Sequence, residues 1–344
     1  MASILAQPRV GSLPGGMAGV LVAPDSFKGT FSAVEVADAI GRGLAAAGLE
    51  VDLCPVADGG EGTMETLLAS IGGETVEVDV LDPLGRPMRA PFALVDGGRR
   101  ALVEMAAASG LALLTEEERD PWAATTYGTG QLIRAAVQAD AREVMVAVGG
   151  SATVDGGRGA LEAVRDGGGL RDSRLVVLCD VQTPWERCAE IYGPQKGADP
   201  PMVARLAERL DAYAAELPRD PRGVPMTGAA GGLSGGLWAG LGAALEPGAP
   251  YVLDAVRFDA RLRDTIGVIA GEGRIDEQSV MGKIVGEIGE RALRAGVPLH
   301  AIVGRDSVPP EAADRIALRS VREATTLEEI EATARRLGSE LAGG

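Results

Sequence analysis

The chain is poor in aromatic residues, histidine, cysteine and lysine, and each shortage closes a line of chemistry. Phe, Trp and Tyr make up 3% of 344 residues. The hydrophobic 46% is therefore largely Ala, Val and Leu, the material of helices laid on a buried parallel sheet. The single histidine, His300, sits in "VPLHAIVG", a buried-strand pattern. It reads as a core or strand-edge residue, which leaves a Ser-His-Asp or Cys-His arrangement without its base. Cys54, Cys179 and Cys188 form no C-x-x-C pair and are odd in number. They suit a reducing cytosol and exclude both a disulfide framework and structural zinc.

Positive charge is also scarce. A net charge of −16 repels phosphate backbones and anionic lipid, so neither nucleic acid nor a membrane surface is expected as a partner. Residues 1–18 lack a basic cluster ahead of an apolar stretch, which argues against a secretory signal. They read as a disordered extension, with Met17 an alternative start. The one long uncharged stretch, "GVPMTGAAGGLSGGLWAGLGAAL" from Gly223, could span a bilayer by length, but its glycines make it weakly lipophilic. A cytoplasmic location is expected, and a homo-oligomer is left open.

Of the 33 basic residues only three are lysines, Lys28, Lys196 and Lys283, and each has a glycine beside it. Where a solvated charge suffices the chain uses arginine. A lysine is a compact charge that fits a backbone cradle around phosphate, where the broad guanidinium needs more room. The rare lysines therefore mark candidate phosphate contacts.

What the chain has in quantity is glycine, 49 residues, much of it following apolar runs. Val20 to Ala23 reads as a buried strand that breaks into a loop carrying Asp25, Ser26 and Lys28. Ser32 and Glu35 then fit the S-x-x-E capping box of a helix. A short strand leads to Asp58 and Glu61 in "ADGGEGT", before a helix expected to be capped by Thr63. Val144 to Val148 feeds "GGSATVDGG", with Ser151, Thr153 and Asp155; Leu175 to Leu178 ends at Cys179 and Asp180; Ile266 to Ala270 ends at Glu272 and Asp276. Five strand ends thus carry acids, at the edge where open α/β sheets bind ligands, and one convergent site is expected from them. The charged "TEEERDPW" reads as a surface helix or loop. Strands alternate with helices throughout, which gives an α/β class, and the length favours two domains over one.

The familiar phosphate signatures fail. A Walker A loop ending at Gly282-Lys283 would need glycine at Glu277 and Ser or Thr at Ile284, and "GTGQLI" and "GRGALE" both miss G-x-G-x-x-G. The inventory does fit magnesium-assisted phosphoryl transfer. That chemistry asks for cations on the phosphates, a carboxylate-bound magnesium and an acid to orient the attacking hydroxyl.

"APDSFKGTFSA", "ADGGEGT", "GTGQLI", "GGSATVDGG", "GPQKGA", "GAAGG" and "GEGRID" occur in that order, and together they resemble the glycerate kinase family, which phosphorylates D-glycerate with ATP. The resemblance implies two α/β domains. A Rossmann-like domain is built from both chain ends, 19–68 and 262–344, a second is inserted at 69–261, and the active site lies in the cleft between them. It carries over Asp25, Ser26, Lys28, Asp58, Glu61, Ser151, Asp155, Asp180, Gln195, Lys196, Glu272, Arg274 and Asp276 to the site. Thr153 and Lys283 are added from the residues themselves. On this reading Lys28 and Lys196 neutralise phosphate or the glycerate carboxylate, Asp180 or Asp276 accepts the hydroxyl proton, and Asp155 and Asp180 hold Mg2+. The cofactors are ATP and Mg2+, and the favoured product is 2-phosphoglycerate. The 3-hydroxyl, another small hydroxy-acid kinase, and a non-catalytic hydroxy-acid sensor are the alternatives. Two departures stand out: the chain near 170 is shorter than the family pattern by roughly twenty residues, trimming a surface hairpin, and the tail from Arg305 matches poorly.

Overall fold

Apolar runs of β-branched residues set the strands of the structure, a computed structural model that describes residues 19–27, 29–276, 279, 283–316 and 318–343. These residues divide into two compact units. One takes the chain up to Asp58, Glu65–Gly72 and the chain from Ala249; the other takes Gly59–Met64 and Gly73–Gly248.

In the first unit, Val20 to Ala23 lies within β1 (Gly19–Pro24), all of it buried. β2 (Glu50–Leu53), β9 (Thr265–Glu272), β10 (Leu299–Val303) and β11 (Leu318–Glu323) join it in a five-stranded sheet of order β11-β10-β9-β1-β2. Every pairing is parallel. Helix α1 (Ala33–Ala46) begins at the expected capping box. Ser32 Oγ accepts from Glu35 N–H at 3.3 Å, and the Glu35 carboxylate accepts from Ser32 N–H at 2.9 Å. The C-terminal helix, Leu327–Gly343, packs on α1, and Ile330, Ala334 and Leu337 share one core with Val20, Val22, Ile40 and Leu44. The approach is close because Gly43 lacks a Cβ, which would sit 2.2 Å from the Glu331 carbonyl. His300 lies on β10, half-buried, its Nδ1 2.8 Å from Ser320 Oγ on the neighbouring strand.

The chain returns to the first unit for its last segment at Ala249, and Arg261 on that segment bonds Asp52 at 2.8 Å and the Ser70 carbonyl at 3.1 Å, both in the same unit.

The second unit holds a six-stranded sheet, β3 (Glu74–Leu81), β4 (Pro87–Val95), β5 (Arg100–Glu104), β6 (Glu143–Ala147), β7 (Arg174–Leu178) and β8 (Ala244–Glu246), in that order. β5 to β8 are parallel, while β4 runs antiparallel to β3 and β5. The wholly parallel sheet suggested by composition is therefore corrected by one exposed hairpin. The uncharged stretch from Gly223 supplies only a helix of nine residues, Leu233–Leu241. Among the described residues no helix is long and apolar enough to cross a membrane. "TEEERDPW" is a surface segment with one short 3-10 turn at Glu116–Glu118. The three cysteines are free and buried, and burial pushes each thiol up to about 12.

Candidate active site

The sequence-predicted residues fall into two groups, one at the strand ends of each sheet.

In the first unit, Asp25 follows β1 and Glu272 ends the adjacent β9. Both are buried, and Asp25 N–H donates to the Gly271 carbonyl at 2.8 Å. Two acids are thus placed side by side at the carboxyl edge of a parallel sheet. Ser26 N–H donates to the Asp25 carboxylate at 2.6 Å. The loop then closes through Phe27 and Phe31, whose backbones pair and whose rings lie 6.4 Å apart. Lys28 lies outside the described residues. Asp58, half-buried, ends the first segment of this unit. Arg274 is exposed. Asp276 is half-buried, and its Oδ1 accepts from Ser279 N–H at 3.1 Å. Lys283 is the residue before the helix Ile284–Ala295.

In the second unit the loop after β6 meets the turn that carries Lys196. Lys196, 1% exposed, donates from Nζ to Ser151 Oγ at 2.6 Å and to the Thr153 carbonyl at 2.7 Å. Burial pulls its ammonium down to about 8, against the smaller opposing pull of Cys188 and Asp155. Ser151 is half-buried and fixed in place, with Leu111 N–H donating to the Gly150 carbonyl at 2.7 Å and Ala152 N–H to the Ser109 carbonyl at 3.0 Å. Thr153 is fully buried, and its hydroxyl has no hydrogen-bond partner among the described residues. Glu61 is exposed, and a Cβ built on Gly150 would come within 3.3 Å of its Oε2, so those two loops are neighbours. Asp180 follows β7, and its Oδ1 accepts from Gly248 N–H at 2.7 Å. Gln195 is exposed beside buried Lys196.

Asp155 holds its own loop and the neighbouring Thr126 with its carboxylate. Its oxygens accept from Thr126 N–H and Oγ at 2.8 Å each, from Gly157 N–H at 3.0 Å and from Gly159 N–H at 3.3 Å. Its charge thus lies against the amino end of the helix Arg158–Asp166, whose N-cap is Gly157. Most glycines around "GGSATVDGG" serve packing. At Gly156 (φ +67) a Cβ would lie 2.6 Å from the Trp185 ring, and at Gly231 (φ +66) 1.9 Å from the Thr153 carbonyl. "GAAGG" and "VDGG" interlock backbone to backbone, as Gly156 N–H donating to the Gly231 carbonyl at 3.0 Å shows.

Sequence reasoning missed Glu104 and Thr126. Thr63 was the expected helix cap, yet its hydroxyl donates to the Gly60 carbonyl at 2.7 Å, and it is Glu104 at the end of β5 that accepts the Met64 N–H at 2.7 Å. Thr126 is fully buried between Asp155 and Ala160 N–H. Its place just before "YGTGQLI" was the available signal. Among the described residues no three His, Cys, Asp or Glu are gathered to hold an ion.

Two α/β units with acids, hydroxyls and a buried lysine at parallel strand ends have the layout of α/β proteins that bind ligands at the carboxyl edges of their sheets. Known proteins narrow this. The model of the glycerate kinase family matches residues 20–166 and 167–341. Glycerate kinase of Bacillus subtilis (strain 168) is 39% identical over 331 residues, covering 84% of this chain and 86% of that protein. Glycerate 2-kinase of Escherichia coli (strain K12) is 37% identical over 322 residues, covering 83% and 85%. A crystal structure from Salmonella typhimurium LT2, solved under the name of glycerate kinase 2, superposes with a TM-score of 0.84 at 34% identity, covering 96% of this chain and 99% of that one. The chain belongs to the glycerate kinase family. The family match runs in two abutting segments that meet at 166/167 and ends at residue 341.

Proposed function

We propose that this protein transfers the γ-phosphoryl group of ATP to the 2-hydroxyl of D-glycerate, giving 2-phosphoglycerate and ADP. The observation that carries the reading is the family match over nearly the whole described chain; the Escherichia coli relative named glycerate 2-kinase supports the position of attack. Phosphoryl transfer of this kind proceeds through a loose transition state, so the protein's work is positioning and charge compensation.

Magnesium, if bound with ATP, would supply positive charge that offsets the charge of the phosphates. Such an ion keeps most of its waters and needs only one or two carboxylates, so the lack of a three-acid cage does not count against it. Asp155 does not fit the part, because four donors already occupy its oxygens. Asp180 in the second unit, and the buried acids Asp25 and Glu272 that lie side by side in the first, have the right donor chemistry. Lys28 and Lys283 are proposed as cations for phosphate or the substrate carboxylate, with Ser26, Asp58 and Arg274 in the first unit and Glu61 and Gln195 in the second as further candidate contacts. Asp276 or Asp180 orients the attacking hydroxyl and accepts its proton.

The test is ADP release by the purified protein with Mg-ATP and each of D-glycerate, glycolate, lactate and tartronate. Turnover with D-glycerate far above the others is expected. Preference for another acceptor would move the protein to a different kinase activity, and binding of D-glycerate without ADP release would make it a sensor.

A further inference from the structure

A buried ammonium ordinarily rests against a carboxylate, because an uncompensated charge out of water is costly. Lys196 does not: among the described residues no carboxylate lies within ion-pair distance of Nζ, and its acceptors are a hydroxyl and a carbonyl. The charged and titratable groups around it are few. Asp155 acts on it at longer range, with its own oxygens already bonded. Cys188, on the helix Cys188–Tyr192, is a buried and protonated thiol. Arg209 is tied to the Val154 carbonyl, and the Arg119 backbone packs on Gly197.

The geometry of Ser151 gives this charge an outlet. A hydroxyl has one proton and two lone pairs. With a lone pair of Ser151 Oγ taken by the ammonium at 2.6 Å, its proton must point away from Lys196. Ser151 is half-buried where Lys196 is not exposed, so it is the member of the pair that a ligand can meet. We propose that Ser151 donates its hydrogen bond to an anionic oxygen of the substrates, a carboxylate or a phosphate, and that Lys196 is a positioning residue whose charge acts on that oxygen through the serine.

The inference rests on the kinase reading and deepens it. The ammonium is complete below about pH 8 and lost above it, since burial lowers its pKa to about 8. Affinity for the anion should therefore fall as pH rises through that value. The experiment is calorimetric titration of the full-length protein with D-glycerate and, separately, with ATP, between pH 6.5 and 9.5, for wild type, Ser151→Ala and Lys196→Met. Ser151→Ala should weaken one of the two ligands by about 10- to 100-fold, the worth of a charge-assisted hydrogen bond, and should flatten its pH dependence near 8. Whichever ligand responds identifies the anionic oxygen. Lys196→Met should give the same loss; should it fail to fold, Ser151→Ala alone decides. Wild-type affinity of Ser151→Ala for both ligands, or an undiminished fall above pH 8 in that variant, overturns the proposal. A wild-type protein that binds D-glycerate but releases no ADP contradicts the kinase reading instead.

Discussion

Asp155 and Lys196 show how a residue's surroundings decide what it can do. Both are charged and act on each other at longer range, but four donors take up the Asp155 carboxylate, whereas Lys196 is left with neutral acceptors. The sign of the lysine's effect on stability follows from its lowered pKa. Below about pH 8 it is protonated in both folded and unfolded chains, and the folded state bears the full cost of the buried charge. Between about 8 and the ordinary lysine value of 10.5 the unfolded chain holds more protons, so stability rises with pH. Lys196→Met at pH 7 is thus expected to leave stability unchanged or raise it by up to about 3 kcal/mol, less whatever the two lost hydrogen bonds contributed. The gain should shrink as pH approaches 10.5. Thermal melts of the two proteins at pH 7 and pH 10 check this, and a sharp fall in Tm for the variant at pH 7 would show the ammonium to be a net stabiliser.

At the scale of elements, much was legible because local chemistry carries it. The capping box at Ser32 and the strands at Val20 to Ala23 and Leu175 to Leu178 depend on neighbours a few residues away, and the structure keeps them. The acids at strand ends are likewise where a parallel sheet puts them. What could not be read is what depends on contacts between distant segments. The glycines of "VDGG" look like a phosphate cradle until Trp185, Leu233 and the Thr153–Gly231 contact are seen around them. The exposed hairpin β3–β4 was missed because half its residues face solvent and its apolar signal is weak. Gly231 offers the sharpest check on the packing account. Its positive φ and the carbonyl 1.9 Å from a built Cβ make Gly231→Ala destabilising by about 3 kcal/mol or more, readable as a loss in denaturant midpoint. An unchanged midpoint would mean the loops separate easily and the glycine serves something else.

At the scale of the whole molecule, one unit is built from both ends of the chain, with the other inserted between them. The consequence is that the last helix belongs to the first strand's core. Ile330, Ala334 and Leu337 are each at most 1% exposed against Val20, Ile40 and Leu44. Full burial of an aliphatic side chain is worth roughly 1.5–3 kcal/mol, and a typical domain has only about 5–15 kcal/mol in hand. Removing residues 327–344 should therefore unfold the unit that contains β1, seen as loss of soluble protein or of its cooperative melt. A truncated chain with a wild-type melt would disprove the shared core.

The central claim is phosphoryl transfer to D-glycerate, and its most direct test is phosphorus NMR of the reaction of purified protein, Mg-ATP and D-glycerate. The account predicts growth of the 2-phosphoglycerate resonance in step with ADP. A 3-phosphoglycerate signal would contradict the assigned hydroxyl, and ATP consumed with no phosphoglycerate formed would contradict the claim itself.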